Sequence, residues 1–292
     1  MIIVKIHYGL GNQLFQYALG RSLSLTRRIP FALDLHFYRQ HEQDPQHPRV
    51  YQLDKFCIQA NMASDDVVKK LIQPSIFDQG KTKVENLIRP YYKRRIVYER
   101  SLSYDENMWQ VEDDVYLAGY WQDLRYFEQY GAVIRSDLKF KTEPTGLNKE
   151  LLETINMVES VAIHVRRGDY ITDSFHAEHV GVAEMPYYRN ATNFLQGKTS
   201  QAHYFVFTDD PEWVKKNFDP GVPFQLVEHN DQVNAFEDLR LMSACKHQVI
   251  SNSSFGWWGG WLSNNDQKIV VAPKVWRKEG PDMYKPDSWI VM

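Results

Sequence analysis

Residues 160–170 read SVAIHVRRGDY, an apolar run that ends abruptly in two arginines, a glycine and an aspartate. A short apolar run that is bounded by a polar turn is typical of a strand buried on both faces of a sheet. The same arrangement recurs through the second half of the chain, with segments of helical spacing in between. Strands that alternate with helices in this way predict parallel α/β layers.

The predicted strands all end in polar residues. In the second half, strands are predicted at residues 160–165, 203–207, 224–228, 248–251 and 268–272, and helices at 210–218, 235–245 and from 252 onward. In the first half, strands are predicted at 2–6 and 115–117, with a helix that carries Leu14, Tyr17, Ala18 and Leu25. Because ligands bind at the carboxyl ends of parallel strands, the residues that follow each strand are the site candidates.

The remaining segments are less regular. Residues 41–48 are predicted to form a loop, and residues 62–108 to form helices or an insertion. The basic run at 91–95 is interpreted as a solvated helix face, with a surface for acceptor or lipid as the alternative. The turn residues at 143–146 predict a domain boundary near residues 145–158.

Length and composition favour two globular domains. The chain has 292 residues, 43% of them hydrophobic, and a net charge of −3, so it lacks the basic excess of a nucleic-acid binder. Cys57 and Cys245 lie too far apart in sequence to form a disulfide framework or a metal-ligand motif. The amino terminus lacks the features of a signal peptide, and no apolar run is long enough to span a membrane. We therefore expect a cytoplasmic location.

The arginine motif after residue 165 predicts a phosphate site. An arginine fork matches phosphate oxygens and stays charged, so Arg166 and Arg167 are candidates to stabilise a diphosphate leaving group. Gly168 gives the loop flexibility, and Asp169 adds a carboxylate. The alternative interpretation is an arginine–aspartate pair that only fixes the turn.

Two further loops lead from a strand into a helix. The loop Asn252-Ser253-Ser254-Phe255 offers hydroxyls and free backbone N–H groups to an anion, and ordinary helix capping is the alternative. The loop from Gly9 through Gly11 and Asn12 to Gln13 allows close approach of a ligand, and a plain turn is the alternative. It departs from the dinucleotide fingerprint because Leu14 replaces the third glycine.

Two carboxylate pairs have open roles. Asp209 and Asp210 could hold a cation, bind a ribose or base, or cap the following helix. No two aspartates in the chain are separated by one residue, so the metal–nucleotide motif of the other large transferase architecture is absent and no metal is expected. Asp238, next to Glu237, is a candidate to accept hydrogen bonds from guanine, and a surface helix charge is the alternative.

These residues together resemble the α-1,2-fucosyltransferases of glycosyltransferase family eleven. The resemblance covers residues 9–18, 119–122, 164–170, 206–211 and 241–262. The order of the motifs makes it specific. The chain has Tyr8 where the family usually has glycine, Gly256 where serine is more common, and Gly260 where alanine is more common. None of these differences removes a charged group.

The resemblance implies an α/β fold of the GT-B type, with two Rossmann-like domains that face each other across a cleft. Residues 1–155 would form the acceptor-side domain and 156–275 the GDP-fucose domain, and residues 276–292 could cross back to the first domain. The implied donor is GDP-β-L-fucose, with inversion at the anomeric carbon and neither metal nor cofactor. The implied acceptor is a galactose-terminated oligosaccharide or lipid-linked glycan, which would allow peripheral contact with the inner membrane.

The resemblance also implies residue roles. Arg166 would bind the β-phosphate, His164 would line the nucleotide pocket, and Asp238 would bind guanine. Asn12 would lie near the sugar, and Asp169 is a candidate general base that could instead only orient the arginines. The full donor set that we predict is Gly11, His164, Arg166, Arg167, Asp209, Asp210, Asp238, Asn252, Ser253, Ser254 and Phe255.

Three alternatives stay open on the sequence. They are a GDP-fucose transferase with another glycan or a peptide acceptor, a non-catalytic GDP-sugar-binding protein, and a hydrolase of GDP-fucose. The hydrolase would usually need metal-binding carboxylates.

Overall fold

The computed structural model describes residues 1–41, 50–72, 88–168, 171, 178, 180–278, 280 and 282–292. The loop predicted at 41–48, apart from His41, and residues 73–87 of the predicted insertion lie outside them. The described residues 91–93 form a short 3-10 helix rather than a longer solvated helix. None of the described helices combines the length and the apolar character that crossing a membrane requires. The chain divides into two compact units, Met1–Lys139 and Phe140–Met292.

The first unit is built on a five-stranded parallel sheet. Its strands are β1 (Ile2–Lys5), β2 (Phe31–Asp34), β3 (Asn61–Met62), β4 (Ile96–Tyr98) and β5 (Val115–Ala118), in the order β3-β2-β1-β5-β4. Its helices are α1 (Leu10–Arg27), α2 (His36–His41), α3 (Asp65–Ile72) and α4 (Gly131–Asp137). The strand order reverses between β1 and β5, so the loops after these two strands lie side by side at the carboxyl edge.

Helix α1 lies directly on this sheet. A side chain at Gly20 would meet Val4 Cγ2 at 2.6 Å, so the absence of one lets the helix approach β1 closely. Leu14, Tyr17 and Ala18 are fully buried, as their helical spacing predicted. This packing fixes the loop from Tyr8 to Asn12 at the start of the helix.

The second unit is a six-stranded parallel sheet. Its strands are β6 (Glu159–Val165), β7 (Ala202–Thr208), β8 (Phe224–Val227), β9 (His247–Val249), β10 (Val270–Ala272) and β11 (Ile290–Val291), in the order β11-β10-β9-β6-β7-β8. Its helices are α5 (Gly146–Met157), α6 (Met185–Gln196), α7 (Pro211–Asn217), α8 (Ala235–Ala244) and α9 (Ser254–Leu262). This is the strand order of doubly wound nucleotide-binding sheets, and the reversal lies between β6 and β9.

Strand β6 is buried on both faces, as the apolar run predicted. Val161, Ile163 and Val165 belong to a core cluster on one face of the sheet, and Ala162 belongs to a second cluster with Phe205. Alternate side chains of a strand point to opposite faces, so each cluster receives every other residue. The strands predicted from the sequence in both halves are confirmed, whereas β2, β3, β4 and β11 were not predicted.

The division between the units differs from the predicted boundary at residues 155/156. Helix α5 belongs to the second unit, because Leu151 and Ile155 pack in the cluster that contains Ala162 and Phe205. The carboxyl-terminal segment is also assigned to the second unit. Strand β11 pairs with β10, and the Trp289 ring lies 5.5 Å from the Trp257 ring.

Candidate active site

The arginine loop follows β6 at the centre of the second sheet. The Arg166 guanidinium forms an ion pair with Asp209, with 2.9 Å between Nη1 and Oδ2. The other oxygen of the same carboxylate accepts a hydrogen bond of 2.9 Å from the backbone N–H of Arg167. Asp209 comes from the neighbouring strand β7 and its following loop. A single carboxylate therefore holds the side chain of one arginine and the backbone of the next.

The structure separates the two arginines. The Arg167 guanidinium lies over the Trp213 ring, 3.6 Å from its centroid, and its Nε is 3.6 Å from Asp210 Oδ2. Asp210 in turn caps α7, because its Oδ1 accepts a hydrogen bond of 3.1 Å from the Trp213 N–H. Arg167 is thus anchored to the start of α7, while about a quarter of the Arg166 side chain (26%) stays exposed.

Gly168 allows the carboxylate of Asp209 to approach the loop. A Cβ atom at this position would overlap with Asp209 Oδ2, so a larger residue would displace the group that holds both arginines. Asp169 lies outside the described residues. Its predicted role as general base stays a prediction.

His164 connects the arginine loop to the serine loop. Its Nδ1 lies 2.8 Å from Ser251 Oγ, and the ring is buried. Burial, and then the charge of Arg166, lower the pKa of His164 to about 3, so the imidazole is neutral at physiological pH. A Cβ at Gly256 would meet His164 Nδ1 at 2.7 Å, which explains why this chain has glycine there.

The serine loop begins α9 beside the arginine loop. Ser253 caps the helix, because its Oγ accepts a hydrogen bond of 3.3 Å from the Phe255 N–H. Asn252 donates hydrogen bonds to the carbonyls of Gly181 and Trp276, both at 3.1 Å. Asn252 therefore positions the loop through backbone contacts. Ser254 is the first residue of α9, and a helix start is the place where backbone N–H groups point toward a bound anion.

Asp238 lies in the first turn of α8, which packs against α9. Its Oδ1 accepts a hydrogen bond of 2.7 Å from Asn230, a residue of the loop that follows β8. Burial raises the pKa of Asp238 to about 7, and the charges of Glu237 and Asp231 act in the same direction. Asp238 thus lies near the carboxyl ends of the strands, and its side chain titrates near neutral pH.

Asn12 lies at the carboxyl edge of the first sheet. Its Oδ1 accepts a hydrogen bond of 2.6 Å from Gln122, which follows β5. Gln16 joins the same two loops, because its Nε2 donates to the Gly119 carbonyl at 3.1 Å and lies 2.8 Å from His7 Nδ1. Gly11 is buried in the first turn of α1. Asn12 and Gly11 therefore belong to the first unit, and the other described donor-set residues belong to the second.

Sequence reasoning missed two features of the first unit. Aromatic rings of His7, Tyr8, Phe37 and Tyr120 cluster at the carboxyl edge of the sheet, with centroid distances of 5.0–6.0 Å. A cavity of about 580 Å³ lies beside them, with Glu99, Tyr104 and Trp121 in its lining, and none of the predicted site residues contributes to it. The only sequence signal for the first feature is the bulky residue at position 8.

Within the described part of the chain, no three His, Cys, Asp or Glu side chains are grouped in a way that could hold a metal ion. The described residues that directly follow β6 and β7 include four charged side chains, those of Arg166, Arg167, Asp209 and Asp210.

Two doubly wound units with polar loops at the reversal of each sheet form an architecture that suits nucleotide-sugar glycosyltransferases. In the second unit, the ion-paired Arg166 and the start of α9 follow β6 and β9, the two strands between which the strand order reverses. The family comparison makes the class specific. The family model described as "Glycosyl transferase family 11" matches residues 1–290, and the chain belongs to this family.

Curated relatives agree with this membership. The chain is 30% identical to an alpha-1,2-colitosyltransferase of Escherichia coli, over 99% of this chain and 98% of the relative. It is 26% identical to a galactoside 2-alpha-L-fucosyltransferase of Caenorhabditis elegans, over 92% of this chain and 71% of the relative. The protein is therefore a glycosyltransferase of the α-1,2-fucosyltransferase family.

A solved structure shares the fold. The alpha-1,6-fucosyltransferase NodZ of Bradyrhizobium, in a crystal soaked with GDP-fucose, superimposes with a TM-score of 0.51 at 13% identity. The match covers 89% of this chain and 91% of NodZ. This likeness confirms the predicted class of two Rossmann-like α/β units.

Proposed function

We propose that the protein transfers L-fucose from GDP-β-L-fucose to the 2-hydroxyl of a terminal β-galactoside, with inversion and without a metal ion. The observation that carries the proposal is the pairing of Arg166 with Asp209 next to the start of α9. Family membership and the activities named for the relatives support the donor and the acceptor.

The reaction moves negative charge onto the departing nucleotide. The acceptor oxygen attacks the anomeric carbon from the face opposite GDP, and the bond from that carbon to the β-phosphate oxygen breaks. In our proposal Arg166, the serine hydroxyls and the N–H groups at the start of α9 stabilise the charge on GDP. One fixed cation and several fixed hydrogen-bond donors would together supply what a divalent ion supplies in metal-dependent transferases.

The proton of the acceptor hydroxyl needs a base. We propose Asp169 for this step, because it follows the arginine loop directly and a positioned carboxylate can accept a proton in the transition state. Water is the alternative acceptor if the bond to phosphate breaks well before the new bond forms. His164 is not a candidate, since its ring is buried against Ser251.

Colitose transfer is a second candidate, because a relative that is 30% identical over nearly the whole chain is named for it. The two candidates share the nucleotide site and differ in the sugar. An assay that compares GDP-fucose with GDP-colitose under identical conditions distinguishes them by the ratio of kcat/KM.

The first test is release of GDP from GDP-fucose in the presence of EDTA, with and without lactose. We expect release that depends on lactose and a product with fucose on the 2-hydroxyl of galactose, established by linkage analysis. Release that stops with EDTA would contradict metal independence. Release without lactose would support a hydrolase, and donor binding without turnover would support a non-catalytic sugar-binding protein.

Asp238 should make GDP binding depend on pH. Its pKa of about 7 means that the carboxyl group is mostly protonated at pH 6 and mostly ionised at pH 8. Guanine presents N–H donors, so only the ionised carboxylate can accept from both, and affinity is lost as the pH falls through 7. We expect the ionisation of Asp238 to raise GDP affinity about tenfold between pH 6 and 8. Calorimetry measures this affinity and the protons that are released on binding.

The β-phosphate of GDP titrates in the same range, so the variants Asp238→Asn and Asp266→Asn are needed. Asp238→Asn should lose the tenfold contribution, whereas Asp266→Asn removes an exposed charge of the second unit that does not act on the pKa of Asp238 and should retain it. An unchanged pH dependence in Asp238→Asn would show that another group binds guanine.

A further inference from the structure

An aromatic face covers part of the carboxyl edge of the first sheet. We define the Tyr8 face as the rings of Tyr8, Phe37 and Tyr120, with the His7 ring beside them. Tyr8 stacks on Tyr120 with 5.7 Å between centroids and an angle of 22°, and its ring lies 5.2 Å from that of Phe37. Tyr8 is 38% exposed and the Phe37 and Tyr120 side chains are half-buried, so part of the Tyr8 face reaches solvent.

The backbone of Tyr8 is in an unusual conformation. Its φ is 63°, in the left-handed region that a bulky L-residue rarely adopts and that glycine adopts freely. Its carbonyl accepts hydrogen bonds from Gln13 Nε2 at 3.1 Å and from the Tyr38 hydroxyl at 2.7 Å, which hold the turn in place. A large, partly exposed side chain at a strained backbone position suggests a functional role rather than a packing role.

The Tyr8 face lies on the same pair of loops as Asn12. Tyr8 and Asn12 flank the glycine loop after β1, and Tyr120 and Gln122 follow β5. The hydrogen bond from Gln122 to Asn12 joins the two loops. A ligand on the Tyr8 face is thus beside the loop that begins α1.

The face is uncharged where the sugar would lie. Burial, and then the charge of Lys5, lower the pKa of His7 to about 4, so its ring is neutral at physiological pH. The other three rings are those of two tyrosines and a phenylalanine. An uncharged aromatic surface suits the C–H face of a neutral pyranose better than it suits a nucleotide diphosphate.

We propose that the Tyr8 face binds the pyranose ring of the acceptor galactoside and that Tyr8 is an acceptor-specificity residue. The inference rests on the proposed function, because it names the residues that bind the substrate of that reaction. It goes beyond the proposed function, which names no residue that binds the galactoside.

The variant Tyr8→Gly removes the ring and also suits the left-handed backbone, so the fold should be retained. We expect the KM for lactose to rise about tenfold at saturating GDP-fucose, because the variant loses the apolar contact between the ring and the sugar, and a tenfold change corresponds to about 1.4 kcal/mol of binding. The KM for GDP-fucose should stay unchanged. Tyr8→Phe keeps the ring and should restore the lactose KM to within about twofold.

Arg28→Gly is the matched control. Arg28 is also in the left-handed region, with a φ of 56°, at the C-cap of α1, and it lies far along the chain from the aromatic face. Glycine suits the left-handed backbone at both positions, so both variants should stay folded, which a thermal melt checks. Only Tyr8→Gly should change the lactose KM.

Saturation-transfer NMR can measure lactose binding in the absence of donor. This measurement separates the inference about Tyr8 from the proposed function. If GDP-fucose is not a donor, lactose should still bind the wild-type protein and bind Tyr8→Gly more weakly. Equal binding or equal lactose KM in both proteins would overturn the role of Tyr8, and so would equal increases in both substrate KM values. Failure of lactose to bind the wild-type protein would overturn the galactoside assignment.

Discussion

Arg166→Ala should lower kcat/KM for fucose transfer by about a thousandfold while the protein stays folded. The loss of one preorganised group that stabilises a developing oxyanion costs about 2.7–4 kcal/mol, which corresponds to roughly 10²–10³ in rate. Arg166 is the arginine whose guanidinium is partly exposed and held by Asp209. The measurement is initial-rate kinetics with GDP-fucose and lactose, together with GDP affinity and a thermal melt.

Arg166→Lys and Arg167→Ala are the matched variants. Lysine keeps the charge and loses the fork, so it should recover only part of the rate. Arg167→Ala removes the guanidinium that lies over Trp213, so it should lower the melting temperature more than Arg166→Ala does. Near-normal turnover by Arg166→Ala would mean that another group stabilises the leaving GDP.

The strands that decide the fold were predictable because a buried strand is recognisable from a short run of apolar residues. The run from Val161 to Val165 is apolar throughout, and it forms the central strand of a sheet that is covered on both faces. Strands β3 and β11 have two residues each, too few for any period to be recognised. The domain boundary was placed too late because the partner of α5, the cluster with Ala162 and Phe205, cannot be read from the helix itself.

The position of the candidate residues at the carboxyl edge of the sheet was predictable, but their contacts were not. Polar residues after β6, β7 and β9 could be placed at one edge from the strand pattern alone. The sequence left Asp209 and Asp210 with three possible roles, and the structure gives each a contact. Asp209 holds the arginine loop, and Asp210 caps α7. Such contacts depend on which strands are neighbours in the sheet, which is a tertiary property.

Tyr8 illustrates a different limit. A tyrosine at position 8 adds no charge and belongs to no motif, so no role for it can be predicted from the residues alone. Its left-handed backbone and the stacking on Tyr120 exist only in the folded chain. Departures from a local conformational preference are where functional residues are expected, because a single strained position persists only when its surroundings hold it.

The variant Asp209→Ala should lower kcat by about a hundredfold through loss of position rather than loss of a contact to substrate. Its carboxylate holds the Arg166 side chain and the Arg167 backbone N–H, and a misplacement of about 1 Å in a reacting group can cost a factor of this size. The KM for lactose should change little. Asp209→Asn keeps an oxygen that can accept from the Arg167 N–H, so its kcat should lie between those of the wild-type protein and Asp209→Ala.

A double-mutant cycle with Arg166→Ala decides how Asp209 acts. If Asp209 works by positioning Arg166, adding Asp209→Ala to the Arg166→Ala protein should lower kcat by less than about a further threefold. The effects of residues that act as a unit are not additive. Asp210→Ala removes the α7 cap, so it should cost about 1 kcal/mol of stability and have a smaller effect on kcat. Fully additive losses for Asp209 and Arg166 would mean that Asp209 contacts the donor on its own, and the arginine loop would then need another anchor.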